Sequence, residues 1–392
     1  MPAVGRITRA TIFLVNIPLR MKVEHALASR HVNTTGFLVL ESSDGAAGIG
    51  EFLARDYVTG DTVDDCVTAL RDLGAHLTGI AIVDPLDVIR DLWMTTPDRP
   101  GRIGALGAVD LAFLDLCGKT SERSASSLLE RTPQATADGV TFSATYPLAH
   151  GVKLAILHLF YRTWLKMAHI KMKGTGDLDA DLRYVRVLRA AFPYPVSVRV
   201  DLNGSLRPDA AEEYFARMLE PACDVRWFEQ PFPKDDFETA ARFQQQFADH
   251  VVLCADESVC TIEDLERTIR AQAFRAVNIR IAKHGGLLRA LEIHDRAAAA
   301  GLQTQLGCLV GESSVLAHAG LHLAALAGDF RFHEGCFGRY LIRWDVIRPS
   351  LRFGRHGRVR PASLPAHGLV PRFDLDRLRR AATKIVPLGG SG

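Results

Sequence analysis

The feature that most constrains the fold is a regular alternation of short apolar segments with helix-length amphipathic segments, beginning near residue 139. Eight of the apolar segments have the length and composition of β-strands. A strand that is followed each time by a helix returns parallel to its predecessor, and eight such units close into a (β/α)₈ barrel. No glycine-rich phosphate turn follows the first strand, which argues against a doubly wound sheet. The predicted strands lie at residues 139–144, 168–173, 196–201, 226–230, 251–256, 275–282, 302–308 and 330–335.

The chain before this alternation has another pattern. Arg9–Leu19 and Asn33–Glu41 are rich in β-branched and apolar residues, and the turn sequence Ser42–Gly45 leads into a third short strand. Thr62–Leu77 has apolar residues at helical spacing, and Leu106–Cys117 is a more apolar helix. Strands followed by helices indicate a small α+β domain ahead of the barrel.

Composition excludes several classes of protein. The 47 Lys and Arg residues nearly balance the 45 Asp and Glu residues, so we predict no general nucleic-acid binding, although a local basic patch stays possible. The seven cysteines are odd in number and form no CxxC pair, which argues against a disulfide framework. No secretory signal and no apolar run of 18 residues is present, so we expect a cytoplasmic protein without a membrane partner.

Charged residues stand at the C-terminal ends of consecutive predicted barrel strands. In (β/α)₈ barrels these ends form the face that carries the active site. Neighbours in the series are 27 or 28 residues apart, about the length of one strand and helix. The series is Lys173, Asp201, Glu229, Asp256 and Lys283, and Lys171 precedes the first member by two residues, on the same side of its strand.

This arrangement predicts a chemistry. Three carboxylates on adjacent strand ends would repel one another, and a hard divalent cation such as Mg²⁺ resolves the repulsion. Lysines on both sides of such a cation are candidate bases, because nearby positive charge lowers the pKa of an ammonium group. Proton abstraction next to a metal-bound carboxylate needs this combination.

These motifs resemble those of the enolase superfamily, in its muconate-lactonizing subgroup. The matching motifs are KxK at 171–173, DxN at 201–203, EQP at 229–231, DES at 256–258 and KxGG at 283–286. The resemblance covers nearly the whole chain, and it implies an α/β fold in which an α+β capping domain lies on a modified (β/α)₈ TIM barrel. The expected parts are residues 1–132 (cap), 133–345 (barrel) and 346–392 (a segment returning to the cap).

The resemblance also implies roles. Asp201, Glu229 and Asp256 would be the Mg²⁺ ligands, Lys173 and Lys283 the acid and base on opposite faces of the substrate, and Lys171 an electrostatic support. The implied function is a Mg²⁺-dependent isomerase that forms an enolate, either a muconate cycloisomerase-like enzyme or a racemase or epimerase of an amino-acid derivative. A dehydratase similar to o-succinylbenzoate synthase and a non-catalytic scaffold are the alternatives. A homo-oligomer is typical of the family.

The substrate is expected to be a small carboxylate, contacted by residues of the cap and of the later strands. Glu312 would contact the substrate or cap the following helix, and Asn203 would orient a ligand or hold a turn. The eighth predicted strand lacks the DxD motif with which dipeptide epimerases of this subgroup bind the substrate's ammonium. In the cap, the expected substrate contacts are Arg55 and Tyr57, in the loops near Met21–His31 and Arg55–Thr59.

Overall fold

The computed structural model describes residues 5–25, 28–134, 139–147 and 151–389. Its N-terminal part contains a four-stranded antiparallel sheet in the order β14, β1, β2, β3. The strands are β1 (Ile7–His25), β2 (Ala28–Ser42), β3 (Ala47–Phe52) and, from the end of the chain, β14 (Ala382–Leu388). The accompanying helices are α1 (Asp56–Thr59), α2 (Val63–Leu77), α3 (Pro85–Thr95), α4 (Arg102–Thr120) and α5 (Ala125–Leu128).

Helix α4 packs closely on β3, and two glycines of β3 make this approach possible. A Cβ atom at Gly50 would lie 2.0 Å from the carbonyl oxygen of Ala108, and one at Gly48 would lie 2.2 Å from that of Ala112. Real Cβ atoms do not approach backbone this closely, so the Gly-Ile-Gly pattern is required by the packing. The predicted meander and both predicted helices of this region are confirmed.

The second sheet has eight parallel strands in chain order, from β5 to β12. It closes at its ends through a hydrogen bond of 2.8 Å from Ser143 N, just before β5, to His333 O on β12. The predicted fold, a (β/α)₈ barrel with a separate α+β domain, is confirmed. The strands are β5 (Ala144–Tyr146), β6 (His169–Lys173), β7 (Ser197–Asp201), β8 (Trp227–Glu229), β9 (Val252–Ala255), β10 (Ala276–Ile279), β11 (Gln303–Leu306) and β12 (Phe332–His333).

The first predicted barrel strand is wrong in position. Residues 139–144 do not enter the barrel as one strand, because β4 (Val140–Thr141) pairs antiparallel with β13 (Arg358–Val359) in a separate two-stranded sheet. Apolar β-branched residues fit either sheet equally well, so composition alone does not predict which strand they pair with. The barrel begins at Ala144 instead.

Helices surround the barrel, and one short helix lies at its C-terminal face. The short helix is α11 (Ile281–His284), directly after β10. A π-helical turn, Phe160–Leu165, continues the first helix of this part. No helix in the described ranges is long and apolar enough to span a membrane. The remaining helices are α6 (Gly151–Leu159), α7 (Leu178–Ala191), α8 (Ala211–Met218), α9 (Phe237–Gln246), α10 (Ile262–Ala271), α12 (Leu287–Ala299), α13 (Ser314–Ala327) and α14 (Leu375–Ala381).

Buried carboxylates of the N-terminal part fix it to the barrel. Asp110 of α4 accepts hydrogen bonds from the backbone N–H groups of Leu287 (2.7 Å) and Leu288 (3.2 Å), at the N-terminus of α12. Glu51 of β3 accepts from the N–H and hydroxyl of Ser313, at the N-terminus of α13. Unpaired N–H groups at a helix start favour a carboxylate partner. Carboxylates of the N-terminal part fill this role for two helices of the barrel.

Candidate active site

The C-terminal ends of the barrel strands form a face that we call the barrel mouth, and the predicted charged residues meet there. Lys173 ends β6, Asp201 ends β7, Glu229 ends β8, Asp256 follows β9, and Lys283 lies on α11 after β10. All but Lys173 are buried. In an eight-stranded barrel, β6 and β10 are four places apart, so the two lysines enter the mouth from opposite sides with the three carboxylate strands between them.

Lys171 is the centre of the buried charge network. Its Nζ lies 2.7 Å from Glu229, 2.9 Å from Asp201 and 3.2 Å from Glu334, which follows β12. Burial disfavours the ammonium, but the surrounding carboxylates outweigh burial and raise the pKa of Lys171 well above its usual value. Lys171 is therefore a fixed positive charge beside two of the predicted metal ligands.

Lys173 contacts Asp201 and Asn203. Its Nζ donates to Asp201 Oδ2 at 2.5 Å and to Asn203 Oδ1 at 2.8 Å, and 15% of its side chain is exposed. Asn203 has a left-handed backbone, with φ 44°, and its amide donates to Glu257 at 3.0 Å. Asn203 therefore lies in the turn after β7 and contacts Lys173, and its predicted contact with a ligand stays a prediction.

Lys283 is fully buried on the far side of the mouth. Its Nζ donates to Asp256 Oδ1 at 2.9 Å and to the backbone carbonyls of Asp256 and Asn278, each at 2.7 Å. Arg280, at the end of β10, also contacts the Asp256 carboxylate and lies 3.3 Å from Glu229. Positive side chains thus lie against each of the three predicted metal ligands.

In the ranges that the structure describes, no three His, Cys, Asp or Glu residues are gathered closely enough to hold a metal ion, and the predicted ligands are paired with lysine and arginine side chains. The donor chemistry nevertheless fits a divalent cation. Glu257 Oε2 is buried without a hydrogen-bond partner, and burial together with Asp256 and Asp201 raises the pKa of Glu257 to about 7. A surplus of buried oxygen acceptors beside three carboxylates is the environment that Mg²⁺ prefers.

A buried glutamine connects the EQP and DES motifs. Gln230 Oε1 accepts from the N–H groups of Asp256 (2.9 Å) and Ser258 (3.1 Å), and its Nε2 donates to Phe232 O and to Ser258 Oγ. The glutamine thereby fixes the strand end that carries Asp256. Its own backbone is left-handed, with φ 37°, which turns the chain sharply after Glu229.

Sequence reasoning missed several residues of the mouth. Arg199 donates to Glu334 at 2.7 Å, and Gln305 donates to Glu229 at 2.7 Å and to Glu334 at 3.2 Å. Asn278 also donates to Glu229 at 2.7 Å. Each lies on a barrel strand, and Arg199 precedes Asp201 by two residues. Period-two alternation could have found Arg199, because it places both side chains inside the barrel.

Glu312 lies near the mouth but does not cap a helix. Ser313 is the N-cap of α13, and the Glu312 carboxylate instead accepts from Leu309 N at 2.6 Å. Burial raises the pKa of Glu312 to about 8, with Glu51 adding to the shift. Glu312 is therefore largely a neutral carboxylic acid near pH 7, which is able to donate a hydrogen bond.

The predicted substrate contacts of the cap are placed differently. Arg55 is buried, and its guanidinium donates to Asn33 and to the carbonyls of Ala54 (2.8 Å) and Val310 (2.9 Å). It therefore joins cap to barrel with its terminal nitrogens already engaged. Tyr57 is partly exposed, and the guanidinium of Arg30 lies 5.7 Å from its ring centre. Part of the predicted loop at residues 21–31 lies outside the described residues.

Curated relatives of known activity span most of the chain. An N-succinyl-L-Arg/Lys racemase from Bacillus cereus is 24% identical over 81% of this chain and 84% of its own. An o-succinylbenzoate synthase from Bacillus subtilis is 24% identical over 97% of both chains. Further relatives are epimerases of dipeptides. These relatives confirm the predicted class of isomerase. The presence of one o-succinylbenzoate synthase among them keeps the dehydratase as a minor alternative.

Solved structures share the fold over nearly the whole chain. A muconate lactonizing enzyme from Pseudomonas fluorescens, complexed with muconolactone, superposes with a TM-score of 0.85 at 21% identity and covers 97% of this chain and 100% of its own. A dipeptide epimerase from Cytophaga hutchinsonii, complexed with Mg and a dipeptide, superposes with a TM-score of 0.84 at 20% identity and covers 98% and 100%. At this identity the likeness establishes the fold alone.

The family follows from the barrel sequence. The family profile described as "Enolase C-terminal domain-like" matches residues 160–375, more than half of the chain, and includes every charged residue of the mouth described above. The predicted resemblance is thereby confirmed. This chain belongs to the enolase C-terminal domain-like family of the enolase superfamily.

Proposed function

We propose that this protein is a Mg²⁺-dependent racemase or epimerase that exchanges the proton α to the carboxylate of an amino-acid derivative. One observation carries the proposal. Lys173 and Lys283 enter the mouth from strands four places apart, with the ends of β7, β8 and β9 between them. Two bases on opposite sides of one carbon allow removal of the proton from one face and its return to the other.

Asp201, Glu229 and Asp256 would hold the cation, which when bound would stabilise negative charge that develops on the substrate carboxylate. Lys171 and Arg280 now lie against these carboxylates and would shift toward the substrate carboxylate and Glu334. Gln230 keeps the backbone of Asp256 in place during this change.

Charge balance supports a lysine base. The buried network already pairs Lys171, Lys173, Arg280 and Lys283 with carboxylates. A divalent cation and a monoanionic substrate together add one positive charge to this low-dielectric space. Loss of one proton from the mouth restores the balance, so binding of both fits a reaction in which side chains of the mouth exchange a proton with the substrate.

Solvent exchange tests the proposal. The enzyme is incubated with Mg²⁺ in D₂O with N-acylated amino acids and dipeptides of both configurations, and α-deuterium incorporation is followed by NMR. We expect exchange and racemisation with the wild type. In Lys173→Ala and Lys283→Ala, each variant should exchange the proton of one enantiomer only and should lose racemisation.

The control is Lys166→Ala, a lysine in the loop before β6 that lies outside the mouth, which should leave both reactions unchanged. Exchange of both enantiomers by either mouth variant would refute the two-base assignment. Elimination of water from a substrate panel without any racemisation would favour the dehydratase alternative instead.

Two further proposals concern the cellular location and the oligomeric state of the enzyme. All seven cysteines are free thiols, which fits a reducing compartment, and we propose a cytoplasmic location. We also propose a homo-oligomer, because Ile156, Leu159 and Trp164 expose large apolar side chains on one continuous helical segment. Analytical ultracentrifugation of the wild type beside Trp164→Ser tests this assembly.

A further inference from the structure

A second concave site lies between β1 and the C-terminal part of the chain, and its described lining residues do not belong to the charged network of the barrel mouth. It is a cavity of about 350 Å³, and among the described residues that line it Asp345 is the only acidic one. Six arginines line the same cavity: Arg20, Arg339, Arg343, Arg348, Arg352 and Arg377. We call this site the arginine pocket.

The arginine pocket belongs to a strongly basic stretch of sequence. Residues 339–380 contain eleven arginines, three aspartates, no lysine and no glutamate, although the whole chain has a net charge of only +2. The net charge of the whole chain is therefore near zero although guanidinium groups are concentrated in this stretch. A basic patch of this kind attracts anions.

The arginines of the pocket greatly outnumber the carboxylates beside them. Among the described residues, none of the six forms a salt bridge with a carboxylate. Asp345 is buried and already accepts hydrogen bonds from Ser314 and from Ile347 N. Burial and the nearby Arg348 lower the pKa of Arg377, and the nearby Asp374 and Asp345 offset only part of this shift.

Several of these side chains are held in place by contacts that leave their terminal nitrogens available. Arg20 uses Nε to donate to Ile342 O at 3.2 Å, and Arg343 uses Nε to donate to Leu19 O at 3.4 Å. The guanidinium of Arg377 lies 5.4 Å from the ring centre of Trp344. Guanidinium groups that are oriented in advance lose less freedom when they bind an anion.

We propose that the arginine pocket binds a small polyanion that carries a di- or triphosphate group. Guanidinium forks match phosphate oxygens in bidentate geometry, and several forks around one cavity favour a ligand with several adjacent charges. The cavity volume lies within the range of small-molecule sites. A long polyanion such as nucleic acid requires an extended basic groove, whereas these arginines surround a single concavity.

Titration calorimetry in metal-free chloride buffer tests the proposal, with inorganic triphosphate, ATP and orthophosphate as the probes. We expect triphosphate to bind at one site, at least about tenfold more tightly than orthophosphate. Equal affinities for triphosphate and ATP would identify the phosphate chain as the whole ligand, and tighter binding of ATP would identify a nucleotide.

A pair of double variants separates the pocket from general charge. Arg348→Gln with Arg377→Gln removes two pocket arginines, and Arg379→Gln with Arg380→Gln removes two arginines of α14 that do not line the pocket. The pocket variant should bind triphosphate at least about tenfold more weakly, and the control should change less than about twofold. Unchanged melting temperatures would show that both variants are folded.

Three outcomes would overturn the proposal: no saturable binding of triphosphate, equal weakening in both double variants, or binding of a 20-nucleotide single-stranded DNA by a protein that does not bind triphosphate. The last would assign the basic stretch to nucleic acid. Because these measurements need neither Mg²⁺ nor turnover, their failure is independent of the racemase proposal.

Discussion

At the scale of the residue, buried polar side chains of the mouth act as positioning groups for the charged ones. Gln230 and Gln244 form an instructive pair, because both are buried and both fix β9. Gln244, on α9, accepts from Leu253 N at 2.8 Å and donates to Val251 O at 2.9 Å, near the start of β9. Gln230 holds the other end, where Asp256 enters the mouth.

We predict that Gln230→Ala and Gln244→Ala each lower the free energy of unfolding by about 2 to 4 kcal/mol, because each leaves buried N–H and C=O groups unpaired. The two substitutions should differ in their effect on the affinity for Mg²⁺. Gln230→Ala should weaken Mg²⁺ binding, measured by calorimetry, at least about tenfold, since a metal ligand loses its support. Gln244→Ala should leave Mg²⁺ binding unchanged, and equal weakening in both would contradict the positioning role.

At the scale of the element, the start of α13 depends on a carboxylate from another part of the chain. Glu51 of β3 accepts hydrogen bonds from Ser313 and Thr35, and the carboxylate of Asp345 lies close enough to repel it. Burial, reinforced by Asp345, raises the pKa of Glu51 from 4.5 to about 7. The folded protein therefore binds a proton at Glu51 more tightly than the unfolded chain does.

This shift predicts the sign of a pH effect. The contribution of Glu51 to stability is fully present below pH 4.5 and is lost as pH rises to about 7. The loss corresponds to about 3 kcal/mol. The free energy of unfolding is measured in urea at pH 5 and at pH 8. It should fall less between the two pH values in Glu51→Gln than in the wild type. Glu41→Gln, on neighbouring β2, is the control and should follow the wild type; an identical pH dependence for Glu51→Gln would refute the shift.

At the scale of the whole molecule, the barrel gathers the predicted lysines and carboxylates from five consecutive strand and helix units into one mouth, and the cap joins it through Asp110, Glu51 and Arg55. A cation that binds only in this assembled mouth stabilises the folded state by mass action. Metal binding is thus measurable without a substrate.

We expect Mg²⁺ at a hundred times its dissociation constant to stabilise the protein by about 2.7 kcal/mol, which corresponds to a rise in melting temperature of roughly 3 °C. Asp201→Asn should abolish the rise, and Asp209→Asn, which changes an exposed aspartate that forms a salt bridge with Arg207, should retain it. Differential scanning fluorimetry with and without Mg²⁺ measures both. An unaltered rise in Asp201→Asn would exclude Asp201 as a ligand.

The sequence identified the lysines and carboxylates that meet at the mouth, because their positions follow from the periodicity of strands and helices. Lys171 and Lys173 both contact Asp201, as their spacing of two residues on one strand requires. Prediction missed Arg280 and assigned no role to Glu334, since nothing local shows which strands they approach across the barrel. It also proposed Arg55 as a substrate contact, whereas the structure engages Arg55 with Asn33 and Val310, residues distant in the chain.

The sequence by itself determined the alternation of strands and helices, the α+β domain ahead of the barrel, and the order of lysines and carboxylates, because each depends on local composition and on repeat length. Tertiary structure decided where the barrel begins, which cations neutralise which carboxylates, and that Glu51 rather than Glu312 supports α13. It also brought Arg20 beside arginines more than 300 positions later. These outcomes depend on burial and on contacts between distant segments, which only the folded chain creates.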